Sequence, residues 1–413
     1  MERLIFHVDV NSAFLSWEAA RRTAAGEQDI RLIPSAIGGD RDKRTGVILA
    51  KSIPAKKYGV KTGEPVSMAL RKCPGLFLAK PDFRLYEKNS RAFMDICRSR
   101  APLVEKYSID ECFMDMSGTG HMYPDPMSLA NQIREEIRDS LGFTVNIGLG
   151  PNKLLAKMAS DFEKPDRVHT LFAAEIETKL WPRPVGELFS VGRSTAERLE
   201  KGCIRTIGQL AGADQRYVQS LVGQKLGRQI YEYANGRDSS PVLPEPEEAK
   251  CYGNSTTLEE DVTDMDAAGN ILMALCDSAA SRMRADGARA ACVCVTIRAN
   301  DFKNRSHQCR LENPTDISAQ IFQTSKQLFA ELWDRRTPLR LLGVTLSEIS
   351  REGYDQLSLF GGESREKSQK LDRAMDAIRS RYGSGAIARG AVMESGGRVG
   401  RKFKAQQDLK REE

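Results

Sequence analysis

Three acids in two short runs are the residues of this chain best placed to do chemistry. Asp9 sits near the end of the apolar run RLIFHVDV (residues 3–10), and Asp110 and Glu111 are adjacent within YSIDECFMD (residues 107–115). Unpaired carboxylates in a mostly apolar strand are destabilising, because each charge is desolvated and neighbouring like charges repel. A divalent cation removes that repulsion. Mg²⁺ takes a few carboxylates, a main-chain oxygen and substrate phosphates as ligands. A single acid would be read as a solvated strand end or the partner of a Lys or Arg. The two runs, with the residues around them, point to a cation.

Such a cluster needs strands to hold it. Residues 3–10 read as a buried strand. NSAFLSWEAARR then reads as a helix capped by Asn11 or Ser12, with Phe14, Leu15 and residues 17–19 on its apolar face. Residues 31–75 are basic and punctuated by Gly and Pro, with short strands such as 46–50, and 84–100 read as helix. Strands at 108–116 and 143–149 flank a helix around 128–140, and a helix at 152–160 follows a Gly-Pro turn. This alternation fits an α+β layer of strands backed by helices.

Beyond about residue 171 the texture changes. Short Gly-punctuated helices fill 185–237, and SSPVLPEPEEA (239–249) is an acidic, Pro-rich linker. Residues 250–350 return to α+β, with helices at 265–286 and 316–333 and strong strands at 290–299 and 340–349. From residue 351 the chain is polar, with one helix near 364–382 and a charged end, 398–413, expected to be disordered.

Composition bounds the answer. At roughly 100–200 residues per domain, 413 residues make two to four domains. A 40% hydrophobic and 29% charged chain excludes collagen-like, coiled-coil and fully disordered classes. Lys+Arg of 62 against Asp+Glu of 56 leaves +6, which permits nucleic-acid binding without proving it. Nine cysteines without a CxxC, and four histidines, do not make zinc spacings; they read as reduced, buried thiols, with Cys292 and Cys294 on one side of a strand. The N-terminus has no signal-peptide pattern and no stretch reaches the roughly 18–20 apolar residues of a membrane span. A cytoplasmic protein is expected.

HVDVNSAFLSWE, YSIDECFMD and GLGPNKLLAKMASDFEKP (148–165) resemble, in order and spacing, the motifs of the Y-family translesion DNA polymerases, closest to the bacterial DinB/UmuC branch. The resemblance covers about residues 1–350. It implies a multidomain α+β right-hand polymerase: palm (1–10 and 77–170), small fingers (11–76), a helical helix-hairpin-helix thumb (171–238), the linker, an α+β little finger on DNA (250–350) and a flexible tail (351–413). It implies low-fidelity, template-directed addition of deoxynucleotides to a primer 3′-hydroxyl by two Mg²⁺ ions, with primer–template DNA and dNTPs as substrates, in a monomer. Asp9 and Asp110 would bind both ions, Glu111 would complete one site, and Val10 would offer its carbonyl. One ion activates the primer hydroxyl and the other holds the triphosphate. Two rivals are a non-catalytic DNA- and clamp-bound adaptor of the same family and a helix-hairpin-helix repair nuclease. The intact acids argue against the first, and product length separates the second.

The same resemblance assigns further residues. Phe14, five residues after Asp9, would be the steric gate against ribonucleotides, with Ala13 where many relatives carry an aromatic. AKSIPAKKYGVK (50–61) resembles the triphosphate grip of the fingers, with Ile53 and Lys56 in place of the usual Tyr and Arg. Lys153 and Lys157 lie one helical turn apart, and Lys157 would reach the triphosphate. Asn11 replaces an acid that is not a metal ligand. FSVGRSTAERLEKGCIRTIGQLA (189–211) resembles a helix-hairpin-helix, with Gly192 letting a helix N-terminus approach a phosphate. Arg298, Lys303, Arg305 and Arg310 suit a strand face lying along a DNA backbone. Gln356, Leu357, Leu359 and Phe360 lie in a QLSLF run that looks like a bacterial sliding-clamp-binding pentapeptide.

Overall fold

The computed structural model describes residues 3–39, 46–245, 247–351, 362–383 and 385–390. They fall into two compact units, the second formed by residues from Glu247 onward. None of the helices among the described residues is long and apolar enough to cross a membrane.

In the first unit, strand β1 (Ile5–Val10) is followed by β2 (Ser35–Gly38), β3 (Ile48–Lys51) and β4 (Phe77–Ala79), which form their own three-stranded sheet in the order β3-β2-β4. Then come β5 (Leu103–Lys106), β6 (Glu111–Asp115), β7 (Val145–Gly150) and β8 (Val168–Thr170), which build a five-stranded sheet around β1 in the order β5-β6-β1-β7-β8. All six residues of β1 are buried, as a central strand covered on both faces requires. Phe6, Val8 and Val10 join a core with Tyr86, Phe93, Ile133 and Ile137, from helices Phe83–Arg98 and Pro126–Leu141. Ile5, on the other face, packs with Phe113 and Ala156. That second face also carries His7 and Asp9, because side chains alternate along a strand.

Helix Lys153–Ser160 covers this second face, and β7 admits it through Gly148. A Cβ there would stand 2.0 Å from the Ala156 carbonyl oxygen and 2.4 Å from the Ser160 nitrogen. Asn152 caps the helix by accepting from the Leu155 N–H at 2.8 Å.

The strand expected at 108–116 starts only at Glu111. Residues before it make a tight turn in which the Tyr107 and Ser108 N–H groups both donate to the Glu111 carbonyl. Strands β5 and β8 have four and three residues, too few for alternation to show in the sequence. Neither Asn11 nor Ser12 caps helix Ala13–Ala24. Ser12 takes a left-handed conformation without a capping bond. The Asn11 side chain is engaged elsewhere, donating to Asn146 and accepting from Thr144 and the Asp166 N–H. All nine cysteines are free, but Cys203, Cys251 and Cys309 are exposed rather than buried.

The second unit is a four-stranded antiparallel sheet, ordered β11-β10-β12-β9, from β9 (Tyr252–Val262), β10 (Arg289–Ala299), β11 (Asn304–Thr315) and β12 (Leu339–Ser350). Helices Met265–Ala285 and Ser318–Leu332 cover one face through Leu272, Leu275, Leu328 and Phe329 against Val293, Val295, Leu342 and Val344.

Helix Gly362–Tyr382, expected within a flexible tail, is instead folded onto this unit. Arg284 pairs with Asp376 at 2.6 Å and Asp372 at 3.5 Å, and Arg379 pairs with Asp277 at 2.7 Å. Arg389 bonds to both Asp277 and Asp372, and Asp372 also accepts from the Ser318 N–H at 2.8 Å. Asp372, Asp376 and Arg379 share one helical face by their spacing of four and seven residues. A composition-based reading sees such charges as solvated; only the fold reveals their partners. The Gln356, Leu357, Leu359 and Phe360 run lies outside the described residues, as do residues 398–413.

Asp372 is 1% exposed. Removing one partner of a buried ion pair strands the other charge, at about 3–5 kcal/mol. Asp372→Ala is therefore expected to lower the stability of the second unit by about that amount in urea unfolding. Burial pushes the Asp277 carboxyl up, but Arg379, Arg389 and Arg284 outweigh it and hold it below the ordinary value. A depressed carboxyl stabilises above the unfolded value of about 3.9 and loses its contribution as pH falls through the folded value. Hydrogen-exchange protection factors over Gly362–Tyr382, corrected for the intrinsic rate, should thus be unchanged between neutrality and about pH 5 and fall below about pH 4.

Candidate active site

Antiparallel pairing of β1 with β6 sets Asp9 opposite Glu111. The Val10 N–H donates to the Asp110 carbonyl at 3.0 Å, which clamps the two acidic runs together at their ends. The carboxylates of Asp9 and Glu111 are 13% and 18% exposed. The Asp110 carboxylate accepts from the Ser108 hydroxyl at 2.6 Å.

Two lysines balance the pair. Lys164 Nζ lies 2.9 Å from Asp9 and 2.8 Å from Asp161, and Lys157 Nζ lies 2.8 Å from Glu111. Burial pushes the Asp9 carboxyl up to about 7; Lys164 opposes this, and the adjacent Glu111 reinforces it. Burial pulls Lys164 down, but Asp9 and Asp161 outweigh it, so its ammonium is held above the ordinary value. His7, fully buried between these groups, is held well below its ordinary value by burial and by Lys157, Lys164 and Lys153, and is neutral.

The donor set is hard oxygen. Among the described residues, no three His, Cys, Asp or Glu side chains converge into a ready-made cage. Carboxylate oxygens are the protein ligands that a hard divalent cation takes, commonly one or two of them, with water and substrate phosphates completing the shell. The elevated Asp9 carboxyl beside Glu111 marks a desolvated acid pair whose anionic form a cation would favour.

The other expected residues are spread over the molecule. Phe14 is half-buried on an aromatic shelf, stacked on Tyr86 at 4.7 Å and edge-on to Phe83 at 6.2 Å. Lys56 is exposed on helix Ile53–Lys57, and its charge adds to burial in pulling the Lys51 ammonium down. Lys153 pairs with Glu105 at 2.7 Å and lies over the Phe113 ring, so it joins β5 to the covering helix. Gly192 is the exposed N-cap of helix Arg193–Lys201, with open space where a Cβ would stand.

In the second unit, Arg298, Lys303 and Arg305 meet where β10 turns into β11. Arg298 donates to Asn304 at 2.7 Å, Lys303 pairs with Asp301 at 3.1 Å, and residues 304–310 of the edge strand are exposed throughout. Arg310 pairs with Glu348 at 2.9 Å.

Sequence reasoning passed over Lys164 and His7. Lys164 lies outside the helical spacing that drew attention to Lys157, although it closes the same run, DFEKP. His7 carried a usable signal, since a residue two before Asp9 on a strand must share its face.

Comparison with known proteins decides the family. The impB/mucB/samB family model matches residues 8–161, its C-terminal-domain model matches 249–359, and a model described as DNA polymerase-iota, thumb domain, matches 186–238. The DNA polymerase IV of Clostridium acetobutylicum is 43% identical over 395 residues, spanning 95% of this chain and 99% of that protein. The DNA polymerase IV 1 of Bacillus subtilis is 35% identical over 395 residues, spanning 95% and 94%.

The chain belongs to the Y family of translesion DNA polymerases, in its DinB branch. Solved structures agree on the fold. A Y-family chimera of Dbh and Dpo4 matches with a TM-score of 0.73 at 21% identity, covering 84% of this chain and all of that one. DinB from Sulfolobus solfataricus matches with 0.54 at 22%, covering 83% and 98%. The fold class is that of a right-hand polymerase with palm, fingers, thumb and little finger, and its mixed sheets and helices fit it. The helix-hairpin-helix lies in the thumb. The enzyme is a DNA-directed DNA polymerase acting on DNA and dNTPs, and its nucleotidyl transfer uses divalent metal.

Proposed function

We propose that Asp9, Asp110 and Glu111, with the Val10 carbonyl, hold two Mg²⁺ ions and that this palm site performs low-fidelity extension of primers past damaged bases. The observation that carries the reading is the largely buried Asp9–Glu111 pair across β1 and β6, each acid paired with a lysine ammonium. Bound there, the ions would supply an activated primer 3′-hydroxyl and neutralise the triphosphate. The chain's own part is to orient and to balance charge. Asp9 on β1 and Asp110 in the turn that leads into β6 fix the place of the reacting groups. Lys157 and Lys164, freed from their carboxylates, turn to the triphosphate and hold its negative charge in a poorly solvated setting. Lys56 meets the triphosphate from the fingers. Phe14, braced by Tyr86 and Phe83, presents its ring under the incoming sugar and excludes a 2′-hydroxyl.

Gly192 in the thumb and Arg298, Lys303 and Arg305 in the little finger hold primer–template DNA by its phosphates. Gln356, Leu357, Leu359 and Phe360 dock the sliding clamp. The enzyme works as a cytoplasmic monomer, with no role for a non-catalytic adaptor.

Glu111→Ala is expected to abolish incorporation while primer–template binding persists. In the same binding assay, neutralising Arg298, Lys303 and Arg305 together should weaken the complex and flatten its salt dependence. Normal extension by Glu111→Ala would refute the metal reading. Phe14→Ala should admit ribonucleotides readily while dNTP incorporation stays within about tenfold, or roughly 1.4 kcal/mol. Lys164→Ala in that assay should raise the KM for dNTP. Unchanged sugar discrimination would return Phe14 to a packing role. Leu359→Ala with Phe360→Ala should abolish clamp pull-down without reducing basal extension, because two apolar anchors of roughly 1.5–3 kcal/mol each dominate a short peptide's affinity.

A further inference from the structure

His7 lies fully buried beneath the acids, and the proposed chemistry gives it no task. It precedes Asp9 by two residues on β1, so both side chains leave the same face. Its ring packs against Phe113 with centroids 4.6 Å apart. Nδ1 lies 2.7 Å from Ser160 Oγ. Nε2 is buried without a hydrogen-bond partner and stands 3.9 Å from Glu111 Oε2. A buried ring nitrogen left unpaired is destabilising, so its direction toward a carboxylate calls for a cause.

The Ser160 hydroxyl decides which nitrogen carries the proton. It has one hydrogen and two acceptors in reach, His7 Nδ1 at 2.7 Å and the Lys157 carbonyl at 2.8 Å. If the hydrogen goes to the carbonyl, Nδ1 must be the protonated nitrogen, and a bare Nε2 lone pair then faces a negative oxygen. If it goes to Nδ1, the Lys157 carbonyl gives up the Ser160 bond, but Nε2–H faces Glu111, the electrostatically favourable arrangement in a buried site.

We infer that His7 is a positioning residue for Glu111, donating Nε2–H to Oε2 when Lys157 lets go of Oε1. The inference rests on Glu111 being a metal ligand, as proposed above. At 3.9 Å there is no hydrogen bond, because Lys157 holds the carboxylate from its other oxygen at 2.8 Å. Once the ammonium turns to the triphosphate, a shift of about 1 Å brings Oε2 to ordinary bonding distance. His7 then fixes the carboxylate plane and leaves Oε1 to face the cation. The Phe113 ring and the Ser160 hydroxyl hold the imidazole for this task. Such outer partners orient a ligand, and their loss weakens metal binding or activity by about 10–100-fold.

Two measurements on the full chain test this. Nitrogen-15 shifts of the histidines, with His7 assigned through His7→Gln, are expected to show the Nε2–H tautomer; an Nδ1–H tautomer overturns the inference. Mn²⁺ binding to the complex with primer–template DNA and a non-hydrolysable dNTP is then followed by electron paramagnetic resonance. His7→Phe keeps the ring but neither nitrogen, and should bind Mn²⁺ about 10–100-fold more weakly, with kcat reduced and the KM for dNTP within about twofold. His7→Gln, whose amide can replace Nε2–H, should stay within about threefold of the parent. Parent-like Mn²⁺ affinity in His7→Phe, or equal losses in both variants, refutes the positioning role. If His7→Phe does not fold, the tautomer and His7→Gln results still decide. Glu111→Ala separates the two readings: retained Mn²⁺ affinity there refutes Glu111 as a ligand, whereas lost affinity beside an unaffected His7→Phe refutes only the role of His7.

Discussion

Two carboxylates face each other across a pair of central strands, and much of the first unit is arranged around that fact. Asp9 and Glu111 are directly opposed in the β1–β6 register. Like charges in a poorly solvated place repel strongly, and the fold answers with ammonium groups. Lys164 and Lys157 each take one acid of the opposed pair. Such pairs can be exchanged. In the function proposed above, a cation takes the acids while the freed ammoniums take phosphates. A hydrophobic filling would be more stable but could bind neither.

The helix Lys153–Ser160 ties this exchange to the rest of the unit. It approaches β7 so closely that Gly148 has no room for a side chain. Its N-cap Asn152 also donates to the Gly236 carbonyl at 2.9 Å, and Asp238 accepts from the Leu154 N–H at 3.2 Å. Lys157 sits over the rings of Tyr107 and Phe189. The element that carries the counter-ion of Glu111 is thereby bonded to segments that close the thumb as well as to the palm.

Buried charge serves a different end in the second unit. Asp277, Asp372, Asp376, Arg284, Arg379 and Arg389 join helix Met265–Ala285 to the distant stretch that holds helix Gly362–Tyr382 and Arg389. Each acid has at least one arginine, and the fork geometry of guanidinium allows several bonds per residue. This network is closed upon itself and is suited to fixing one arrangement. The pairs at Asp9 and Glu111 use lysine instead, a point charge on a flexible stem that imposes little geometry, as the proposed exchange requires.

The sequence by itself determined a good deal. The apolar run 3–10 and the helix after Gly150-Pro151 were legible because strand patterning and capping are local properties, and the family was legible because those runs and YSIDECFMD resemble its motifs. Helices Met265–Ala285 and Ser318–Leu332 and strands β10 and β12 were legible within a residue or two for the same reason. Tertiary structure decided what depended on partners far along the chain. Lys164 became the counter-ion of Asp9 across 155 positions, and His7 met Ser160 across 153. The acidic and basic residues after 362 looked like a solvated tail until Asp277 and Arg284 were brought against them. A charged side chain reads the same in sequence whether it faces water or an opposite charge, and only the folded chain supplies the neighbour that settles which.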